Sequence, residues 1–582
     1  MKIIKNIENR LFKYYKEMDH KKIIIGIFIF LCVYSSFLLL IPGIPRGHDL
    51  TFHLSRISAI TDGLKLGEFP VRVYPNYFGG YGYANGLFYG DIFLYFPAVL
   101  CLLGLSVITS YKVFLFVCAI CTALSSYICV KFISKSKFAA TLAMILYTLS
   151  SYRAVDVYIR AAIGEVLAFI FIPIVILGLY EIIYNNKKKW YIITIGFTGL
   201  FLSHNISAVI MAGFTALILI ISYKKILKEP NRLGYLTIAA IVTILLTSFF
   251  LIPMVEQLLT DKFVVNTQTV DTQIWTTTMP LYKIIFEVPY SLLFLPGVSG
   301  IGIVFLVVVF LRFKIKSDKS EIFKFSDICF GMGIISLLAV TKIFPWKIII
   351  KVIKQLAAIQ LAWRLYLFAT LFLSISGGIV ILRYCKNIKT RIKISSIILV
   401  LSIFACSINM FAQYLFYGIV KVKGLHDVSI DPYRIGLGEY LPEGTDKNEF
   451  YERGDIITSN NNIEVKFERK GTNLDIEFSN NYYDDTYIEL PLIYYLGYEV
   501  DYYNGDKKDI LPISKGSNNI IRVDLQGYDE GKILVNYKGT RLQKITQYIS
   551  GISLILFIIY LFYSNNNWIT LKLKRGVRNL SR

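Results

Sequence analysis

Residues that build disulfides, redox centres and metal sites are scarce in this sequence. The 582 residues include 8 cysteines and 5 histidines, and no cysteine falls within 418–545, so that segment does not depend on disulfides. Cys118 and Cys121 form a CxxC inside an apolar run, which is typical of packing rather than of metal binding. The chain also has no HExxH, no GxSxG and no phosphate-binding glycine loop. Zinc-protease, serine-hydrolase and nucleotide-driven functions are therefore unsupported.

Acidic residues are few, with 40 against 62 basic residues and a net charge of +22. The imbalance is uneven, because residues 418–545 contain 22 acidic and 16 basic residues and the basic excess lies entirely in the rest of the chain. Basic residues gathered between hydrophobic runs are the positive-inside signature of membrane proteins. We therefore expect a lipid bilayer, and not a nucleic acid, as the partner of the basic residues.

Long hydrophobic runs are abundant, and hydrophobic residues make up 55% of the chain. The first run is long enough to cross a bilayer and is followed by no small-residue cleavage site, so we expect a retained helix rather than a signal peptide. Placing the basic clusters in the cytoplasm predicts twelve spans with both termini inside. The clusters are 2–22, 131–137, 187–189, 224–232, 312–324, 383–393 and 572–582. The predicted spans are 23–41, 111–131, 138–152, 164–184, 190–203, 205–222, 234–254, 297–312, 327–343, 364–382, 394–416 and 546–563.

One apolar segment, 91–107, does not fit this topology, because a crossing there would place the 131–137 cluster outside. We expect a re-entrant or outer-leaflet segment with a helix broken near Pro97. The prediction is an α-helical polytopic membrane protein of about twelve spans plus a re-entrant segment. Its parts are a basic cytoplasmic tail (1–22), a membrane domain (23–416), an extracytoplasmic domain (417–545), a final span (546–563) and a second basic cytoplasmic tail (564–582).

The extracytoplasmic segment has a different pattern from the rest of the chain. Apolar and polar residues alternate in strings separated by Gly, Asn and Asp, which predicts strands of an antiparallel β-sandwich. The strings are 461–470, 472–479, 487–495, 498–505, 520–527 and 532–539. A further outer loop, 69–91, is rich in Gly, Tyr and Pro. It is either an aromatic cover for a sugar or isoprenoid, or an interfacial aromatic belt.

The predicted topology places the unusual ionisable residues on one side of the membrane. In GHDLTFHLSRI (47–57), Asp49, His53 and Arg56 recur at i, i+4 and i+7, so a helix would carry them on one face. A carboxylate, an imidazole and a guanidinium at a lipid–water boundary suit acid–base chemistry on a phosphate-bearing lipid. A solvated amphipathic helix is the alternative.

Further candidates on the same side have alternatives of their own. Arg160 is a phosphate ligand or pairs only with Asp156 or Glu165. His204 is a substrate ligand or satisfies backbone groups at a helix break. Arg364 binds phosphate or anchors its helix at the membrane boundary.

Several strings carry a resemblance that covers nearly the whole chain: HDLTFHLSRI, GGYGY, RAAIGE, IQLAWR, GEYLP and ELPLIYYLGY. They resemble the bacterial membrane family named 6-pyruvoyl-tetrahydropterin synthase-related and the related lipoteichoic-acid-glycosylating proteins. The arrangement of loops and spans resembles the GT-C superfamily. The resemblance implies a GT-C-like fold that transfers a sugar from a polyprenyl-phosphate donor to an extracytoplasmic cell-wall polymer or glycolipid, usually with inversion. Nothing in the chain looks like the zinc site of a soluble pterin enzyme.

The resemblance also implies roles for the charged residues. Asp49 matches the catalytic carboxylate of the first outer loop, and Glu165 is a second catalytic candidate. Since RAAIGE is not an acidic pair, a requirement for a divalent metal stays open. The residues expected to bind substrate or phosphate are His48, His53, Arg56, Arg160, His204 and Arg364. Two other classes remain: a transporter or flippase of a lipid-linked or anionic substrate, for which no inverted repeat is visible, and a non-catalytic envelope assembly protein.

Overall fold

The computed structural model describes residues 20–267, 274–285, 300–420, 435–436, 438–481 and 486–580. Within these ranges the helices of eight or more residues are α1 (His20–Ser35), α2 (Leu50–Lys65), α3 (Tyr95–Leu102), α4 (Val107–Ser134), α5 (Lys137–Thr148), α6 (Ile163–Tyr184), α7 (Tyr191–Phe201), α8 (Asn205–Ile221), α9 (Asn231–Thr260), α10 (Val304–Phe313), α11 (Glu321–Val340), α12 (Leu365–Tyr384), α13 (Ile388–Ala412) and α14 (Arg541–Leu580).

Every one of the twelve predicted spans falls on a helix, but not every helix is long enough to cross a membrane. In the described part of the chain, seven helices pass a test of length and hydropathy, and α5 with Ser151–Ile159, bent by 44°, forms an eighth candidate. At about 1.5 Å per residue, the 11 residues of α7 cover roughly half of a 30 Å hydrocarbon core. Within the described residues α7 and α10 are too short to cross alone, and the number of full crossings stays a prediction.

The segment 91–107 forms no full span, as predicted. A 3-10 turn (Ile92–Leu94) leads into α3, and the chain turns at Gly104, which has a φ of +97°. Pro97 does not break the helix, contrary to expectation. It lies in the first turn of α3, where a missing N–H leaves no helical hydrogen bond unmade.

The loops sort into two groups at opposite ends of the predicted spans. Three ion pairs join the basic clusters that were predicted to be cytoplasmic: Lys187–Glu229, Lys225–Glu321 and Arg383–Asp318. The predicted outer loops also contact one another. Strand β1 (Ile44–Pro45) pairs with β2 (Ile419–Val420), and Phe263 forms a bridge with Pro442. The loops that carry the candidate residues therefore meet at one end of the molecule.

The segment after β2 is an antiparallel sandwich, as the alternating strings predicted. Its strands are β3 (Ile457–Thr458), β4 (Ile463–Lys470), β5 (Asn473–Asn480), β6 (Tyr487–Ile493), β7 (Tyr498–Asn504), β8 (Lys507–Leu511), β9 (Ile513–Lys515), β10 (Ile520–Asp524) and β11 (Glu530–Tyr537). The sheet orders are β3-β6-β10-β9 and β4-β5-β11-β7-β8. In β5, buried Leu474, Ile476 and Phe478 alternate with more exposed residues. The three strands that sequence reasoning missed are short and largely exposed.

The aromatic loop 69–91 fastens the sandwich to the membrane domain. Phe88 stacks on Tyr440 with ring centroids 4.7 Å apart, and Tyr81 lies 4.5 Å from Phe450. The backbone N–H of Ile493 donates to the carbonyl of Tyr81 at 3.0 Å. These rings pack between the two parts, whereas Phe69, at the start of the loop, is 73% exposed, and both alternatives for the loop stay predictions.

Candidate functional site

The first and second outer loops are joined through their backbones. The N–H of His48 donates to the carbonyl of Ile159 at 3.0 Å, and the N–H of Asp49 donates to the carbonyl of Arg160 at 2.8 Å. Gly47 permits this approach, since a Cβ there would lie 2.5 Å from the Cβ of Ala161. The start of α2 is therefore fixed against the turn that carries Arg160.

Asp49 presents an available carboxylate. It immediately precedes α2 but makes no side-chain cap, and its oxygens accept no hydrogen bond from any residue in the described ranges. The side chain is exposed, yet partial desolvation by the surrounding protein raises the pKa of its carboxyl above 3.8, with Arg160 and His48 opposing the shift. Desolvation likewise lowers the pKa of the exposed His48 below 6.5, so this imidazole is mostly neutral at neutral pH. The site thus offers a carboxylate beside a neutral histidine.

The contacts that hold Arg160 all involve one nitrogen of its guanidinium, Nη1. Its Nη1 donates to Asp156 at 2.7 Å, to Glu165 at 2.7 Å and to the Tyr152 hydroxyl at 3.1 Å. A π-helical turn, Val155–Ile159, places Asp156 for this contact. Within the described residues Nε and Nη2 have no partner, so two donor groups are left for a ligand.

Arg364 reaches the same carboxylate from the start of α12. Its Nε lies 3.4 Å from Glu165 Oε1, and its Nη1 donates to the carbonyl of Ile359 and the side chain of Gln360. Tyr152 donates to the other oxygen of Glu165 at 2.6 Å. The side chain of Glu165 is 1% exposed, and both of its oxygens are engaged. In these contacts Glu165 orients two arginines, and its expected catalytic role stays a prediction.

Arg56 and His53 do not join Asp49, contrary to the helical-face prediction. Asp49 lies outside the helix, whereas Arg56 is buried and forms an ion pair with Asp91, whose other oxygen accepts from Tyr74. Arg56 also donates to the carbonyl of Gly90 at 3.0 Å.

His53 is fixed by the same arginine. Since a guanidinium only donates, the contact of 3.1 Å between Arg56 Nη1 and His53 Nδ1 requires an unprotonated Nδ1. Burial, with the Arg56 charge, lowers the pKa of His53 well below 6.5. His53 is therefore a neutral structural residue, and Arg56 is committed to Asp91 rather than to phosphate.

His204 matches the structural alternative. It precedes α8, and its Nδ1 accepts from the backbone N–H of Ser207 at 3.3 Å and contacts the Ser207 hydroxyl at 2.7 Å. Its ring packs on the first turn of α6, since a Cβ at Gly164 would lie 2.8 Å from His204 Cδ2. His204 therefore helps to shape the wall beside Glu165 as the cap of α8.

Sequence reasoning missed several partners of these residues. Asp91 pairs with Arg56, Tyr74 donates to Asp91, and Tyr152 contacts Arg160 and Glu165. Folding brings Asp91 to Arg56 across 35 residues, whereas Tyr152 lies 8 residues before Arg160. Asp91 is the last residue of the aromatic loop. Because it is an isolated acid among apolar residues, the sequence could have marked it as a residue with a buried partner. In the described part of the chain, no group of three or more His, Cys, Asp or Glu residues has a metal-binding arrangement.

The arrangement combines a proton acceptor with an anion-binding group. Asp49 is open to solvent, and the adjacent Arg160 keeps free donors while its charge is shared with Glu165. Such a pair can remove a proton from a hydroxyl and stabilise negative charge on a phosphate.

Residues 87–413, more than half of the chain, match the family model described as "6-pyruvoyl-tetrahydropterin synthase related domain; membrane protein". A protein of Lactococcus lactis subsp. cremoris (strain MG1363), described as uncharacterized, is 26% identical over 341 residues, which are 55% of this chain and 54% of the relative. The chain thus spans about half the length of the curated relative that it matches.

Two solved structures align with most of this chain at low identity. One is the arabinofuranosyltransferase AftD from Mycobacteria, at 10% identity and a TM-score of 0.42, over 70% of this chain and 29% of that chain. The other is the oligosaccharyltransferase of Archaeoglobus fulgidus tethered with an acceptor peptide, at 13% identity and a TM-score of 0.42, over 69% of this chain and 56% of that chain.

Proposed function

The chain belongs to the family of membrane proteins with the 6-pyruvoyl-tetrahydropterin synthase related domain, as its motifs predicted, and we propose that it is an integral-membrane glycosyltransferase. In this proposal a sugar passes from a polyprenyl-phosphate donor to a hydroxyl of a cell-wall polymer or glycolipid. The active site and the sandwich lie outside the cytoplasm, and both termini lie inside, in agreement with the basic loops.

The proposal rests on the position and the surroundings of Asp49. It is an exposed carboxylate with no hydrogen-bond partner among the described residues, and backbone bonds from its own residue and from His48 fix it beside Arg160. Its raised pKa makes the ionised carboxylate a better proton acceptor than an ordinary aspartate. These are the properties of a general base.

The reaction follows from these groups. The acceptor hydroxyl attacks the anomeric carbon and forms the new C–O bond as its proton moves to Asp49. The bond from the anomeric carbon to the phosphate oxygen breaks, and polyprenyl phosphate leaves with the electron pair. A single base, with no second carboxylate placed as a nucleophile among the described residues, suits direct displacement with inversion.

The leaving phosphate needs cationic donors. Arg160 supplies Nε and Nη2, and Arg364 is the second candidate because its guanidinium lies beside the same Glu165 carboxylate. Glu165, Asp156 and Tyr152 act as positioning residues that hold the Arg160 guanidinium. Arg56 and His53 act indirectly, because they hold α2 against the loop that ends at Asp91.

A donor assay tests the proposal. Purified protein in nanodiscs is given a panel of polyprenyl-phosphate sugars with wall-polymer extract or glycolipid as acceptor, and sugar transfer and release of polyprenyl phosphate are measured together. The matched variants are Asp49→Asn and Asp506→Asn, since Asp506 is an exposed aspartate in the turn between β7 and β8. We expect transfer by the wild type and by Asp506→Asn, and a loss of about 100- to 10,000-fold in Asp49→Asn.

A contrary result would take one of two forms. Full transfer by a correctly inserted Asp49→Asn variant would remove the assigned base. Movement of an intact lipid-linked sugar across the membrane of proteoliposomes, without cleavage, would instead support the hypothesis of a flippase.

A further inference from the structure

A second region of the membrane domain has the features of a ligand site. An intramembrane groove of about 590 Å³ lies between α14 and the helices α6, α7 and α9. Its apolar lining includes Phe93, Phe171, Leu246, Phe250, Leu554 and Phe557. Phe69, at the rim, is 73% exposed, and Leu554 is 51% exposed, so the groove has an apolar mouth.

The groove continues into a polar space at the sandwich. This headgroup pocket has a volume of about 280 Å³ and is lined by Glu68, Arg72, Asn473, Asn536, Lys544 and Gln547, among others. Phe69, Pro70, Arg72 and Gln547 line both cavities, so the two join at these residues. An apolar trough that opens into a pocket of amides and cations matches the two halves of an amphipathic molecule.

Arg72 stands at this junction as a buried cation. The residue is 6% exposed, and no carboxylate in the described ranges lies within ion-pair distance of it. Its Nη2 donates to the carbonyl of Phe249 at 2.8 Å, while its buried Nε has no hydrogen-bond partner. A buried guanidinium with an unused donor is costly unless a ligand completes its hydrogen bonds.

The carbonyl of Phe249 can accept from Arg72 because it has no partner within its own helix. In a helix the carbonyl of Phe249 would accept from the N–H of residue 253, but that residue is Pro253, which has no N–H. The freed carbonyl in α9 therefore anchors Arg72 where α9 passes α14.

The charge of the headgroup pocket favours an anion. Arg72 and Lys544 are its available cations, because Lys538 is paired with Glu499 and Asp501. Burial raises the pKa of Glu68 to about 7, so the one acidic residue in the lining is partly neutral at that pH. Amides from Asn473, Asn536 and Gln547 add donors and acceptors that suit hydroxyl groups.

From this geometry we propose that the groove and the headgroup pocket bind a membrane lipid whose head carries a phosphate and hydroxyl groups, with Arg72 on the phosphate and the tails against α9 and α14. This binding does not depend on glycosyl transfer. The site is separate from Asp49, although Gly90 and Asp91, which hold Arg56, form part of its wall.

Native mass spectrometry of delipidated protein in detergent tests the proposal. The probes are phosphatidylglycerol, diacylglycerol with the same tails, and glycerol phosphate, which separate lipid-borne phosphate from tails alone and from free phosphate. We expect adducts with phosphatidylglycerol, at least about tenfold weaker adducts with diacylglycerol, and no competition by equimolar glycerol phosphate.

Two variants address the two halves of the site, each with a matched control. Arg72→Gln should weaken phosphatidylglycerol binding at least about tenfold, and Arg541→Gln, an exposed arginine outside both cavities, should not. Gly551→Phe should block the groove without disturbing the fold, because a Cβ there has no atom within 4 Å. Gly213→Phe, equally unhindered but outside the groove, is its control.

The proposal is overturned if Gly551→Phe and Arg72→Gln bind phosphatidylglycerol as the wild type does. It is also overturned if diacylglycerol binds equally well, or if glycerol phosphate displaces the lipid at equal concentration. Retained lipid binding in Asp49→Asn, with loss of sugar transfer, would show that the two sites are independent.

Discussion

Asp49 and Glu165 are both carboxylates near Arg160, but their surroundings give them different roles. Asp49 is exposed and has no side-chain partner in the described ranges, whereas both oxygens of Glu165 are engaged. The family resemblance marked both residues as catalytic candidates, yet the sequence could not distinguish their roles. The burial and the partners of Glu165 depend on Tyr152 and Arg364. Tyr152 carries no spacing signal, and Arg364 is distant in the chain. The same limit explains why the pairing of Arg56 with Asp91 was missed.

The raised pKa of Asp49 has a consequence for the pH dependence of activity. A general base works only when ionised, so kcat/KM should fall as pH is lowered through this pKa, with the acidic limb above the ordinary value of 3.8. The measurement is a pH profile of sugar transfer from about pH 4 to about pH 8 in nanodiscs. Activity that stays level or increases towards the acidic end would contradict the assignment.

Glu165→Gln tests the positioning role of the buried acid. Removal of its charge leaves Arg160 and Arg364 poorly compensated in a buried site, which should cost about 3 to 5 kcal/mol of stability. Thermal unfolding in detergent should show a clear decrease in melting temperature, and Glu464→Gln, on an edge strand of the sandwich, should show none. A Glu165→Gln variant that melts with the wild type would mean that the ion pairs contribute little.

At the scale of elements, helix contacts in the membrane domain depend on glycines. In the α6–α7 pair, a Cβ at Gly178 would lie 2.3 Å from the backbone N of Ile193, and one at Gly196 would lie 2.7 Å from the backbone N of Val175. Hydropathy located both helices from the sequence, and alternation located six strands. The close helix approach could not be predicted from either pattern, since a glycine in an apolar run has several uses.

Gly178→Val should therefore destabilise the membrane domain by at least about 1 to 3 kcal/mol, because the helices must separate to accept the side chain. Thermal unfolding in detergent is the measurement, with Gly213→Val as a control, since a Cβ at Gly213 contacts nothing within 4 Å. Equal losses in both variants would indicate a general effect of valine in helices rather than this contact.

At the scale of the whole molecule, contacts between distant loops agree with a topology derived only from basic residues. Three ion pairs join the predicted inner segments, and backbone bonds join the predicted outer ones. The number of complete crossings stays a prediction, since the described helices α7 and α10 are too short to cross alone and α1 begins where the described residues begin. The short helices α7 and α8 meet at His204, beside the site.

Cysteine labelling tests which side of the membrane each group of loops faces. Asp506→Cys, in the sandwich, should react with a membrane-impermeant maleimide in intact cells. Lys188→Cys, in a basic loop, should react only after permeabilisation. The parent protein is the control, since six of its eight cysteines are buried and the other two are partly buried. The reverse pattern would place the candidate site in the cytoplasm.

The central claim is that Asp49 accepts a proton in the transfer step, and a single-turnover experiment tests it most directly. Donor binding and release of polyprenyl phosphate are measured separately for the wild type and for Asp49→Asn. We expect both proteins to bind the donor with similar strength. Release of polyprenyl phosphate should be about 100- to 10,000-fold slower in the variant. Release at the wild-type rate by Asp49→Asn that binds the donor normally would contradict it.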